Sequence, residues 1–256
     1  MKISVIQLSV LWEDKELNLR KLGEMMIPLL NNTDIVVLPE MFSTGFSMNP
    51  ERLSESAGGN TLLWMKKKAS EGNFGLCGSY IAEENGNYYN RWTFVTPSGE
   101  YLTYDKRHLF SFAGEDKYFS PGRERLVFSF RGTRIFPNIC YDLRFPVWCR
   151  NRNDYDLMIN SANWPEKRRD VWLTLLKARA IENQCYVAGA NVTGTDGNNI
   201  AYSGDSVIIG PRGNILSSAF SDVDVSISYD ISLPELEVFR KNFPFLRDAD
   251  IFSIEL

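Results

Sequence analysis

The sequence predicts an α/β protein built as a four-layer α-β-β-α sandwich. Short apolar runs alternate with helical periods in both halves of the chain, each half then passes into strands joined by tight turns, and no Gly/Pro/Ser-rich linker separates them. A doubly wound nucleotide-binding sheet fits less well, because hairpin strands interrupt the β-α alternation and no Gly-rich fingerprint is present. At this length one domain over residues 1–256 is the default.

Lys2 to Leu8 alternates around Ile3, Val5 and Ile6 and reads as the first strand. Asp14 stands ahead of Leu17, Leu19, Leu22, Met25, Met26, Leu29 and Leu30, a helical period with an acidic start. After a break at Asn31–Asp34, Ile35 to Leu38 is a buried strand running into Pro39 and Glu40, and a right-handed crossover puts both strands in one sheet. Ser43 to Gly59 is polar and Gly-containing, a predicted surface loop; its Phe46 either packs or faces a site near Glu40. Thr61 to Ser70 is a helix with Leu62, Leu63 and Met65 for a buried side and Lys66, Lys67 and Lys68 for a solvated one. Phe74–Ala82 and Tyr88–Thr96 are strands on either side of Glu84-Asn85-Gly86-Asn87, a hairpin signal. Pro97–Glu100 is a turn, and Tyr101–Lys106 the next strand.

His108 to Gly122 is a loop whose Phe and Tyr content beside Lys106 suits a substrate wall. Arg134 to Ile139 is a strand; Cys140, Tyr141 and Asp142 follow it, and Leu143 to Asn151 is predicted to continue as a helix despite Pro146. Asp156 to Ser161 is a buried strand ending at Asn163-Trp164-Pro165, with Trp164 a pocket wall or ordinary core. Then come a helix over Lys167–Asn183, a strand over Tyr186–Asn191, a flexible loop over Thr193–Asn199, and a meander of Ser206–Ile209, Asn214–Ala219 and Val225–Tyr229. Leu233–Arg240 is a last helix. The tail from about residue 242 carries Phe243, Phe245, Leu246, Ile251 and Phe252, so it is expected to dock on the domain or on a partner subunit.

Cys140, at a strand-to-helix corner, can project its sulfur above a sheet edge. The backbone N–H groups and dipole of the following helix would favour a thiolate and could hold a developing oxyanion, as in the serine elbow of α/β hydrolases. Its other reading is a small buried core residue. Glu40 at a strand exit and Lys106 at a strand end are each a solvated charge or a site group. The net charge of -4, with no basic stripe, argues against nucleic acid. The Ile3–Leu8 run is too short for a signal or a membrane span. Four cysteines without a CxxC pair read as reduced thiols in a cytoplasmic protein. With His108 as the one histidine, no multi-histidine zinc site can be built, and a Cys–His pair would have to use it.

Three stretches, LPEMF (38–42), YDKRHLF (104–110) and NICYDLRFP (138–146), resemble the signature blocks of the nitrilase (carbon–nitrogen hydrolase) family, and the likeness runs over essentially the whole chain. It implies that family's four-layer sandwich and a triad of Glu40, Lys106 and Cys140. It also implies a second glutamate at Glu115, with Asp116 the neighbouring alternative. The implied reaction is amide hydrolysis through a thioester, without metal or organic cofactor. Glu40 serves as base, Cys140 as nucleophile, and Lys106 with the Tyr141 N–H holds the oxyanion. FSTGFSMN, CYDLRFPVWCRN and ANWPEKRRDVW look most like the omega-amidase branch, whose substrates are small 2-oxo acid monoamides such as 2-oxoglutaramate or 2-oxosuccinamate. Tyr141, Phe46 and Trp164 are then expected at the substrate, and Arg107, Arg144 and Lys167 are candidates to clamp its carboxylate. Val147-Trp148 departs from the glutamate many relatives carry there. In that family such apolar tails commonly contribute to the dimer interface, so the resemblance implies a homodimer or higher homo-oligomer. The alternatives are an N-carbamoyl amidase or nitrilase with the same triad, and a non-catalytic binding subunit of this fold.

Overall fold

The computed structural model describes residues 1–254. Strand β1 (Lys2–Ser9) sets the layering, because its side chains alternate between two apolar environments. Ile3 and Val5 enter the core between two sheets, whereas Ile6 and Leu8 face helices. The first half continues with α1 (Lys15–Met25), β2 (Ile35–Val37), α2 (Pro50–Leu53), α3 (Asn60–Gly72), β3 (Gly75–Glu84), β4 (Asn87–Val95) and β5 (Tyr101–Asp105). The second holds β6 (Phe128–Phe130), β7 (Thr133–Ile139), α4 (Pro146–Cys149), β8 (Leu157–Ala162), α5 (Arg169–Asn183) and β9 (Tyr186–Thr195). It continues through β10 (Ala201–Ser203), β11 (Val207–Ile209), β12 (Ile215–Ser218), β13 (Val225–Asp230) and α6 (Leu233–Asn242).

Each half is built on three parallel strands with antiparallel additions. β1, β2 and β3 are parallel, with β4 and β5 added antiparallel beyond β3. β7, β8 and β9 are parallel, with β6 antiparallel on β7 and the β11–β12 hairpin on β9. The halves join where the ends of β1 and β9 pair, Leu8 with Val192 and Ser9 with Thr193. Between the sheets, Trp92 and Phe94 of β4 pack on Phe128 of β6 with ring centroids 6.2 and 4.8 Å apart. Helices α1 and α3 cover one outer face through Leu22, Leu62, Met65 and Ala69. On the other outer face α5 presses on β9 at Gly189, where a Cβ would lie 2.7 Å from Leu176 and 2.9 Å from Trp172. The result is helix, sheet, sheet, helix.

Several local expectations hold. The Asp14 carboxylate caps α1 by accepting the Leu17 N–H at 3.0 Å. Asn85 and Gly86, both at positive φ, turn the β3–β4 hairpin. Others change. Ser43, Thr44 and Ser47 are buried rather than in a surface loop, because Asn18 and Glu13 bond the Ser43 and Thr44 carbonyls. The predicted helix over 143–151 is a 3-10 turn, Cys140–Arg144, then the four-residue α4. Pro146 drives Phe145 to φ -107°, ψ 90° and breaks the helix there. Lys167 lies in a 3-10 turn ahead of α5. The 193–199 segment is ordered by β9 and by the Asp196 carboxylate, which accepts the Asn198 and Ile200 N–H groups at 2.8 and 3.0 Å. Strand β13 does not complete a meander with β12 but crosses to β1, Lys2 opposite Asp230. After α6 the chain lies against the domain through Gln184, which donates to the Phe243 carbonyl at 2.7 Å, while Phe243 and Ile251 stay exposed.

Candidate active site

The C-terminal ends of parallel strands gather ligand-binding groups, and β2, β7 and β8 end on one edge of this fold. Glu40 follows β2, Cys140 follows β7 and Asn163 follows β8, while Lys106 comes directly after β5 from the neighbouring antiparallel strands. Cys140 has φ 41°, a left-handed conformation that a side chain with Cβ adopts only when its surroundings impose it.

Behind the cysteine lies a cluster with no solvent exposure at all: Glu40, Lys106 and Glu115. The Lys106 ammonium donates to Glu40 Oε1 at 2.7 Å and to both Glu115 oxygens at 3.0 and 2.9 Å. Asn90 Nδ2 bridges the two carboxylates, donating at 2.8 Å to Glu40 and 3.1 Å to Glu115. The Phe110 N–H adds a 2.6 Å bond to Glu115, and the Asn163 N–H a 2.9 Å bond to Glu40 Oε2. Asn163 also donates Nδ2 to the Glu40 carbonyl at 2.6 Å, and its own carbonyl lies 3.8 Å from the Cys140 sulfur. The two glutamates and the thiol are thereby tied into one network.

The electrostatics follow from burial and from one ammonium serving two carboxylates. Burial works against the Lys106 charge, but Glu115 and Glu40 outweigh it and hold the group protonated well above its ordinary range. Burial, helped by the Glu40 charge, pushes Glu115 up despite Lys106. Burial also pushes the Cys140 thiol well up; Glu40 adds to this and Lys106 opposes it. Burial and the Glu40 charge thus work against the thiolate that the N–H groups after Cys140 were expected to favour. A five-residue 3-10 turn, not a long helix, follows the sulfur, and carboxylates outnumber the ammonium behind it.

Cys140 opens on a cavity of about 620 Å³ lined by Phe46, Phe110, Tyr141, Trp164 and Tyr202, with Arg144 on the same wall. The Phe46, Tyr141 and Trp164 expected at the substrate are thus brought together around the sulfur. The Arg144 guanidinium lies 5.0 Å over the Trp164 ring and makes no hydrogen bond or ion pair with the described residues. Lys167 lines the mouth, whereas Arg107 is off the wall and donates to the Gly122 carbonyl at 3.3 Å. Asp116 is exposed, so Glu115 is the carboxylate that joins the cluster. His108 turns to Asp142, 2.8 Å from Nδ1, and stacks on Phe145 with centroids 3.7 Å apart, so it pairs with a carboxylate rather than with the thiol.

Asn90 and Asn163 are site residues that no motif along the chain singles out. Asn90 carried a usable signal, a strand-disfavoured amide inside the aromatic run of β4; for Asn163 it was the position just past a parallel strand. Tyr202 gave none, since only the β9–β10 pairing brings it to the cavity.

This layered α/β frame, with a thiol at a strand end and a buried Glu-Lys-Glu cluster behind it, matches one class of protein, the hydrolases of carbon–nitrogen bonds. The chain belongs to the carbon-nitrogen hydrolase family, whose model matches residues 2–241. It is 42% identical over 254 residues to omega-amidase YafV of Escherichia coli (strain K12), covering 99% of this chain and 98% of that one. It is 33% identical to 2-oxoglutaramate amidase of Bacillus subtilis (strain 168), covering 96% of each. Among solved structures, XC1258 of Xanthomonas campestris, a CN-hydrolase superfamily protein, superposes with a TM-score of 0.96 at 39% identity, covering 100% of this chain and 99% of that one.

Proposed function

We propose that this protein is an omega-amidase, cleaving the terminal amide of a short 2-oxo acid monoamide to the dicarboxylate and ammonia. The observation that carries the reading is the buried Glu40–Lys106–Glu115 cluster lying against a thiol that faces an aromatic cavity. The names of the two curated relatives point to the same substrate class.

The chemistry follows from the electrostatics. A sulfur held as thiol needs a base, and Glu40 is the carboxylate tied to it through Asn163. Glu40 takes the Cys140 proton as the sulfur attacks the amide carbon. The carbonyl electrons move to an oxyanion held by the Lys106 ammonium and the Tyr141 N–H, a type of interaction worth about 3 kcal/mol per donor. The tetrahedral adduct collapses, Glu40 returns its proton to the nitrogen, and ammonia leaves a thioester on Cys140. Water, deprotonated by Glu40, then attacks the thioester, and the thiol regains its proton as the acid departs. Glu115 holds Lys106 in place and keeps it charged.

Arg144 suits the far carboxylate of the substrate: it is a cation on the cavity wall with no partner among the described residues, and an aromatic ring steadies it. We read the protein as a cytoplasmic, single-domain homodimer, supported by its free cysteines and the exposed apolar groups of the C-terminal segment. Ammonia release across a panel of 2-oxo acid monoamides, simple amides, N-carbamoyl amino acids and nitriles tests the activity. Turnover of 2-oxoglutaramate or 2-oxosuccinamate well above the others is the expected result, and a preference for nitriles or carbamoyl compounds would replace it. Light scattering of the purified chain tests the dimer.

A further inference from the structure

Asp142 stands two residues past the thiol, is wholly buried, and gathers hydrogen bonds from three segments. One oxygen accepts the Ile139 N–H at 3.1 Å, at the end of β7, and the Tyr104 hydroxyl at 2.7 Å. The other accepts the His108 N–H at 2.9 Å and His108 Nδ1 at 2.8 Å. Because a carboxylate only accepts, the His108 proton on that side is on Nδ1. The Tyr104 oxygen in turn accepts the Arg107 N–H at 3.2 Å. Tyr104 and His108 lie two residues before and two residues after Lys106. Asp142 thus grips the chain on both sides of the ammonium-bearing residue while pinning the turn that holds Cys140 at φ 41°.

We infer that Asp142 is a positioning residue that sets the Cys140 sulfur and the Lys106 ammonium in register, with Tyr104 and His108 as its two arms. The inference rests on reading Cys140 and Lys106 as the reacting groups. It explains why the single imidazole of the chain is turned away from the sulfur: its ring is one jaw of the clamp, held flat on Phe145. Burial and the Asp142 charge keep the Tyr104 phenol protonated, as the donor role requires. Both arms act on the backbone beside Lys106, so loosening the clamp displaces the ammonium relative to the sulfur without removing either group.

The test is Asp142→Asn, which keeps the shape but turns an amide N–H toward groups that donate. Misplacement of reacting groups by about 1 Å lowers rates on the order of 100-fold. The expected outcome is a kcat loss of that order, KM within about threefold of wild type, and a changed rate of iodoacetamide alkylation at Cys140 followed by intact mass. The alkylation arm does not depend on which amide is the substrate, so a wrong substrate assignment leaves it readable. A folded Asp142→Asn protein with wild-type kcat and wild-type alkylation would overturn the proposal. If that variant does not fold, Tyr104→Phe and His108→Ala carry the test, each removing one arm. Each should lower kcat several-fold at unchanged KM, and His108→Asn, which restores a donor near the Nδ1 position, should recover most of the His108→Ala loss. Wild-type kcat in both single-arm variants, or equal losses in His108→Ala and His108→Asn, would also overturn it.

Discussion

The Lys106 ammonium lies 2.7 Å from the Glu40 carboxylate, and neither side chain touches solvent. Removing one partner from a buried ionic group strands the other, at about 3–5 kcal/mol. Lys106→Met is therefore expected to lower stability by that order in urea melts and to abolish turnover. Adding Glu115→Gln removes one of the stranded carboxylates, and should return part of the stability and none of the activity. Full activity in either protein would dismiss Lys106 from the reaction.

Cys140→Ala should end ammonia release while leaving the melting temperature close to wild type, because the sulfur faces the cavity. Cys185→Ala behaves in the opposite way. Its thiol is fully buried in the core, so the loss appears as roughly 1–2 kcal/mol of stability with kcat unchanged. Turnover by Cys140→Ala would remove the thioester route.

The base is separable from the imidazole. Glu40→Gln retains the packing of the site but cannot take a proton, and should lose the roughly 10²–10⁴-fold of a general base. His108→Gln weakens one contact to Asp142 and should lose less than about tenfold. Steady-state rates on one substrate decide this, and an equal loss in both variants would return the base to contention.

Substrate charge is read against Arg144. Losing one desolvated, charged hydrogen bond costs about 2–4 kcal/mol, so the free acid should exceed its neutral methyl ester by roughly 30- to 1000-fold in kcat/KM. Arg144→Met should collapse that ratio by lowering the rate on the acid alone. Equal rates on acid and ester in wild type would remove the carboxylate anchor and leave the thiol chemistry standing.

Asp156 makes a pH prediction away from the site. Its carboxylate accepts Arg134 Nε and Nη2 at 2.9 and 2.6 Å and Arg240 Nη1 at 2.7 Å. Burial raises its pKa, but Arg134 and then Arg240 pull it below the ordinary 3.8. With the folded value depressed, the unfolded chain binds the proton first on acidification. The stabilisation is therefore complete above about pH 4 and disappears as pH falls through the folded value. Urea melts should show wild type more stable than Asp156→Asn at pH 6, with the gap closing below pH 4. A gap that widens in acid would refute the assignment.

Glu40, Lys106 and Cys140 each close a strand, but a strand end alone leaves each a solvated charge or a core residue. What marks them is the likeness of LPEMF, YDKRHLF and NICYDLRFP, taken together, to the blocks of one family. Glu115 was legible only beside Asp116; burial separates them, and burial is a tertiary quantity. The helix expected after Cys140 failed on Pro146, whose effect on Phe145 outweighs the apolar pattern of the residues around it. Asn90 and Asn163 were hidden for a different reason: their roles exist only because β4 and β8 bring amides to one pair of carboxylates. Charge at the site could be read along the chain, but its hydrogen-bond wiring could not.

Strand β1 finds β2 nearby, Ile3 beside Ile35, but its other neighbours lie far along the chain, Leu8 beside Val192 and Lys2 beside Asp230. A ribosome makes β1 well before β13. Until then the backbone of Lys2 to Gln7 offers an unpaired edge of the kind that recruits strands from other molecules. A strand made early is thus completed only by one made much later, and until β13 is in place the nascent chain carries an edge that can stick to its neighbours.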